Sequence, residues 1–175
     1  MMVLTNYYSA IFKITHKDER PTMDLAVTLK KLGFELPKLA APAANYVPFI
    51  QSGKYVFVSG QIPFLNGQKM HIGRLGENYT VQQGAQAAQA CALNILAQID
   101  AAVDSNWSQV MRCVKLGGFV NSTPDFTEQP AVINGASDLI VAVMGESGKH
   151  TRFAVSAPSL PFGVAVEIEA MFELN

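Results

Sequence analysis

Two side chains near the C-terminus carry the chemistry this sequence most readily offers. Arg152 stands in TRFAVS (151–156), where Thr151, Phe153 and Val155 alternate with Arg152, Ala154 and Ser156. A guanidinium flanked by apolar neighbours on a strand is poorly solvated unless it holds an anion, and its planar fork matches a carboxylate bidentately. The competing reading is a structural salt bridge, or plain exposure at a sheet edge. Glu167 lies in VEIEAMFEL (166–174) on the face that also carries Glu169 and Glu173. It reads either as an acid/base partner or as one of three solvated carboxylates. If the last two strands form a hairpin centred near Ser159 and Leu160, positions 152 and 167 lie opposite each other on one face. Gly60, after Ser59 in VFVSGQIPF (56–64), either opens the backbone to a ligand or marks a β-bulge.

Other groups offer less. His16, His71 and His150 are scattered without triad or metal spacing, and surface positions are expected for all three. Cys91 and Cys113 lie in neither a CxxC nor a Cys/His pattern, so they read as small core residues of a reduced, cytoplasmic protein. Trp107 follows Ser105-Asn106 at a turn and reads as a packing anchor. No P-loop or GxGxxG is present.

The elements that must position these groups are legible from periodicity. Leu25, Leu29 and Leu32 before Gly33 predict a short helix, and Pro37 to Pro48 an extended connection. Ser52-Gly53 and Asn66-Gly67 predict two tight turns between strands. Residues 80–104 predict a long helix capped by Thr80, with Ala85, Ala88, Ala92, Ile95, Ile99 and Val103 on its buried stripe. Residues 110–121 predict a strand bent at Gly117-Gly118, and Gln129 to Met144 a helix with Pro130 in its first turn and Gly145 at its end. In residues 164–174 apolar and polar positions alternate for eleven residues, so one face is buried and the other carries the carboxylates. The expected architecture is an α+β layer, a mixed sheet with helices packed on one face and the other face left for solvent or another subunit.

The chain has 175 residues, with 49% apolar and 15% charged side chains. That composition excludes intrinsic disorder and fits a single domain over residues 23–175, preceded by an unlike extension over 1–22. The extension reads as an appendage or as sequence ahead of a start at Met23; it lacks the layout of a secretory signal. No apolar run is long enough to span a membrane. With 13 basic against 14 acidic residues, the chain has no electrostatic footprint for phosphate backbones, which makes nucleic acid an unlikely partner. Low charge with high apolarity predicts burial of surface against copies of itself.

The runs VFVSGQIPF (56–64), GFVNSTPDF (118–126), VINGASDL (132–139) and TRFAVSAPSLPFGVAVEIEAMF (151–172) resemble the RidA family, also called YjgF/YER057c/UK114, and most of all its longer branch with the INGASDL segment. The resemblance covers nearly everything from Met23 onward. It implies a chorismate-mutase-like α+β fold, a homotrimer with clefts between subunits, and hydrolysis of reactive 2-imino acids and their enamine tautomers to 2-keto acids and ammonia without a cofactor or metal. By position, Arg152 corresponds to the arginine that binds the substrate carboxylate, Glu167 to the acid that orients the attacking water, and Gly60, beside Ser59, to the glycine that contacts the substrate through its backbone. Asn134 corresponds to an asparagine lining the cleft. Phe49 stands where many members carry tyrosine, and Ala154 where the deaminases often carry cysteine; both remain in the expected binding wall. Two rival functions accompany this one: a non-catalytic binder of small carboxylates in the same cleft, and the endoribonuclease role behind the family's older L-PSP name.

Overall fold

Each element begins where a local signal tells the chain to turn. The computed structural model describes residues 23–39 and 45–175, so the 1–22 extension with His16, and residues 40–44 of the Ala/Pro connection, lie outside the described residues. Asp24 accepts the Val27 N–H at 3.0 Å and opens α1 (Leu25–Lys31), which buries Leu25 and Leu29. β1 (Phe49–Ser52) and β2 (Tyr55–Gln61) pair as a hairpin around Gly53, whose φ of 59° suits glycine. Asn66 and Gly67 both take positive φ between β3 (Phe64–Leu65) and β4 (Gln68–Lys69), as a two-residue hairpin turn requires. Thr80 and Gln83 exchange side-chain and backbone hydrogen bonds in a capping box that starts α2 (Val81–Ala102). β5 (Val110–Asn121), α3 (Gln129–Met144), β6 (Thr151–Ala157) and β7 (Val166–Leu174) complete the chain. Trp107 is buried just before β5, and its Nε1–H donates to Asp100 at 2.6 Å.

The five-stranded sheet runs in the order β1-β2-β7-β5-β6, with β6 parallel to β5 and the other pairs antiparallel. Alternation along β7 decides which way it faces. Val166, Ile168, Ala170, Phe172 and Leu174 are all buried beneath the helices, while Glu167, Glu169, Met171 and Glu173 stand on the opposite, uncovered face. Ile50, Tyr55, Phe57 and Val155 are more than two-fifths exposed. Their pairing registers place them on that uncovered face.

One sequence expectation gives way here. β6 and β7 do not pair as a hairpin, because β5 lies between them and bonds both. The reason is α3: a helical crossover from β5 to β6 makes those strands parallel neighbours, and β7 closes on the free edge of β5. Pairing of β5 runs unbroken through Gly117-Gly118, and its register shifts lie earlier in the strand. These glycines provide room. A Cβ at 117 would meet Phe153 and Glu169 on the open face, and one at 118 would meet Ile133 of α3.

α2 and α3 cross where small residues let their backbones approach. A Cβ on Gly135 would collide with the backbone carbonyl of Ala85, a group that has no side-chain freedom to give way. We expect Gly135→Ala to lower stability by about 1–3 kcal/mol in denaturant unfolding, despite alanine's better helix propensity. Unchanged stability would mean that the helices are not in close contact at this point.

Candidate active site

The three carboxylates of β7's open face have different surroundings. Glu169 pairs with Lys115 at 3.3 Å and Glu173 with Arg112 at 4.0 Å. Glu167 has no hydrogen bond or ion pair among the described residues, and its carboxylate lies against the backbone of Gly60. Loss of water around this half-buried group raises its pKa above the usual carboxylate range. The close approach depends on the irregularity in β2, where pairing with β7 slips between Val58 and Gln61. The bulge reading of Gly60 and the close-approach reading are therefore both true, since a Cβ there would overlap the Glu167 carboxylate. Ser59 directs its hydroxyl to the Val47 carbonyl at 2.8 Å and its N–H to the Pro48 carbonyl at 2.9 Å, tying the bulge to the chain ahead of β1. Gln61 Nε2 donates to the Ser59 carbonyl at 3.0 Å.

Arg152 occupies a second cluster, on the helix side of edge strand β6. Its Nη1 donates to Asn134 Oδ1 and to Ser137 Oγ, each at 2.9 Å, and Nη2 approaches the Pro130 carbonyl at 3.4 Å. All three acceptors are neutral, and no ion pair with Arg152 occurs among the described residues. Both Nη1 protons are engaged, which leaves the edge formed by Nε–H and the outer Nη2–H to meet an anion. The positions 130, 134 and 137 recur at i, i+4 and i+7 along α3 and so form one stripe facing Arg152. Ala154 continues the same face of β6 and packs against the core, level with Gly118. Phe49 is half-buried at the start of β1, paired with Val58.

The hairpin expectation had placed Arg152 and Glu167 opposite each other. In the structure Arg152 is level with Leu116 and Ala170, whereas Glu167 is level with Phe119 and Val155, and the two side chains leave opposite faces of the sheet. Two strand spacings and three residue steps put their backbones roughly 14 Å apart. A small acid cannot touch both within one chain.

The histidines depart from expectation as well. His71 is half-buried with Nδ1 3.0 Å from the Tyr79 hydroxyl, and burial lowers its pKa. His150 is half-buried against Ser137, with Nε2 3.0 Å from Oγ. The sequence offers no role for Ser137 and suggests a surface position for His150; the available signal is the spacing of Asn134 and Ser137, polar positions that face β6 on a helix whose other polar side chains are Gln129 and Asp138. Burial pushes the Cys113 thiol up to about 12 and that of Cys91 well above its ordinary value, so neither serves as a nucleophile near neutrality.

Comparison with known proteins identifies the family and the fold. Residues 27–174 match the family described as "YjgF/chorismate mutase-like, putative endoribonuclease". The chain is 50% identical to Protein TCP17 of Trypanosoma cruzi over 86% of its own length and 94% of the relative's. It is 29% identical to the mitochondrial protein MMF1 of Saccharomyces cerevisiae over 77% of this chain and 79% of that one. Among solved structures, Atu1372 of Agrobacterium tumefaciens superposes with a TM-score of 0.81 at 47% identity, covering 87% of this chain and 94% of that one. None of the helices among the described residues is long and apolar enough to cross a membrane.

A carboxylate whose pKa is raised by folding favours the folded state below its ordinary pKa, and that advantage is lost as pH rises through the raised value. Glu167→Gln should therefore unfold at a higher temperature than the parent near pH 7.5. The two proteins should converge near pH 4, where the parent's carboxyl regains its proton. Thermal melts at the two pH values measure this directly, and a variant less stable than the parent at pH 7.5 would contradict an unpartnered, half-buried carboxylate.

Proposed function

Because the chain belongs to the YjgF/chorismate mutase-like family, we propose that it hydrolyses small 2-imino acids to 2-keto acids and ammonia, in clefts built between copies of itself. The observation that carries this reading is the Arg152 guanidinium, steadied by neutral oxygens with one two-pronged edge open. That edge suits a carboxylate. Glu167, half-buried, without a partner among the described residues and with its pKa raised by burial, suits a proton carrier.

The chemistry asks little of the protein beyond placement. An imine carbon next to a carboxylate is already electrophilic. Arg152 fixes the carboxylate, and Glu167 accepts a proton from a water as its oxygen bonds to that carbon. From the protonated imine this gives a neutral carbinolamine; its nitrogen receives the proton back from Glu167, and as the C–N bond breaks the hydroxyl gives its own proton to the Glu167 carboxylate and closes the carbonyl, so that ammonia and a 2-keto acid leave. Orientation supplies several kcal/mol of the barrier, and the proton transfers typically about 10²–10⁴-fold in rate.

Arg152 and Glu167 are too far apart in one chain to share a substrate, so a second copy is required to bring them together. The family resemblance implies a homotrimer. The exposed Ile50, Tyr55, Phe57 and Val155 on the uncovered sheet face support such packing. Phe49, which lacks a tyrosine hydroxyl, favours one rival, a cleft that binds small carboxylates without turning them over. The family description includes an endoribonuclease, and the balanced charge of this chain weighs against that role.

The parent should release ammonia and pyruvate from freshly generated 2-aminoacrylate faster than buffer does. Arg152→Ala should raise KM at least tenfold and Glu167→Gln should lower kcat by about 10²–10⁴-fold. Carboxylate binding without turnover selects the binder, and a parent no faster than buffer rejects the hydrolase. The solution mass should be three times the 18.9 kDa of one chain. When the Arg152→Ala and Glu167→Gln proteins are mixed and allowed to exchange subunits, about a quarter of the parent rate should return, because some clefts then hold both intact groups. No recovery despite subunit exchange would place both groups in one chain's site.

A further inference from the structure

We propose that Ser137 and His150 are positioning residues that hold the Arg152 guanidinium in its carboxylate-accepting orientation, through hydrogen bonds that all run in one direction. The inference rests on the reading of Arg152 as an anion anchor and adds two residues to that site. The Gly148 carbonyl lies 2.6 Å from His150 Nδ1 and can only accept, so Nδ1 carries a proton. In the neutral ring Nε2 is then the acceptor, and the Ser137 hydroxyl 3.0 Å away donates to it. With its proton committed to His150, Ser137 Oγ offers a lone pair to Arg152 Nη1 at 2.9 Å. Asn134 Oδ1 takes the other Nη1 proton at 2.9 Å.

The far end of this chain is rigid. Gly148 is buried at the end of the 3-10 turn Gly145–Gly148, and a Cβ on it would run into the backbone of Ile140 and Val141 in α3. The carbonyl that sets the His150 tautomer is thus packed on the same helix that supplies Ser137 and Asn134. Without the imidazole, a mid-helix serine is free to turn its hydroxyl back to its own helix's carbonyls. It then no longer presents a fixed acceptor to Nη1. The plane of the guanidinium loosens, and with it the direction of the Nε–H and Nη2–H edge.

Binding of 2-oxobutanoate, a 2-oxo acid that cannot undergo imine hydrolysis, tests this by calorimetry on the full chain. Turnover of a 2-imino acid is measured in parallel. Ser137→Ala and His150→Ala should each weaken binding about tenfold, the scale of one hydrogen bond to a charged group. KM for the imino acid should rise by a similar factor while kcat changes less than about threefold. Ser137→Thr, which keeps the hydroxyl, should recover most of the affinity. Nitrogen-15 spectra should show a neutral His150 ring protonated at Nδ1. Folded Ser137→Ala protein that binds the oxo acid as the parent does overturns the inference while leaving the hydrolase reading standing, and so does a ring protonated at Nε2. Should His150→Ala fail to fold, the Ser137 pair and the ring spectrum decide alone. Oxo-acid binding that depends on Ser137, in a parent that releases no ammonia, supports the positioning role and rejects hydrolysis. A parent that binds no 2-oxo acid overturns both.

Discussion

Among the described residues, the Arg152 guanidinium is supported by neutral oxygens alone, and the proposed chemistry depends on that. Had a carboxylate of the same chain faced Arg152, the guanidinium would be neutralised and its fork occupied. Instead Pro130, Asn134 and Ser137 orient the group without cancelling its charge. The electrostatic attraction therefore remains for a ligand, and the geometry that receives it is set beforehand. The same division appears on β7, where Glu169 and Glu173 have cationic partners and Glu167 has none among the described residues. Two groups of opposite sign, neither with an ion-pair partner among the described residues, thus lie on opposite faces of one sheet.

The sheet order makes this separation unavoidable. A helical crossover places β6 beside β5, and β7 pairs with the other side of β5. On the proposed reading, a carboxylate anchor at the sheet's edge and an acid two strands inside it would cooperate only across a boundary between molecules. Local folding and assembly would then have different tasks, the chain preparing each half-site and association joining unlike halves.

Much of the fold was legible because its signals are local. Thr80 and Gln83 cap α2, Asn66-Gly67 turns a hairpin, and Pro130 and Gly145 bracket α3, all within a few residues of the structure they cause. The alternation also assigned the buried and open faces of β7 correctly over Val166–Leu174, while Ala165, read on the open face, is fully buried ahead of the strand. What the sequence hid was non-local. Pairing of β6 with β5, across a helix, leaves no mark on either strand, and the hairpin reading followed from adjacency alone. The Gly117-Gly118 pair was visible, but its cause, the space taken by Phe153, Glu169 and Ile133, lies elsewhere in the chain. Arg152, Glu167 and Gly60 stood out by type and context. Ser137 and His150 did not, because a lone serine and a lone histidine acquire meaning only when α3 lies against the start of β6.

The close crossing of α2 and α3 at Gly135 reaches further than packing. The same helix that rests on Ala85 by its small residue presents Asn134 and Ser137 to the guanidinium, one and two positions away. Seating depth between two helices is thereby converted into the height of a charge at the sheet's rim. If Arg152 anchors a ligand as proposed, proteins built on this frame would have an indirect route to new preferences, in which a slightly larger residue at the Gly135 crossing shifts the helix that carries Asn134 and Ser137 while every group that meets the ligand keeps its identity.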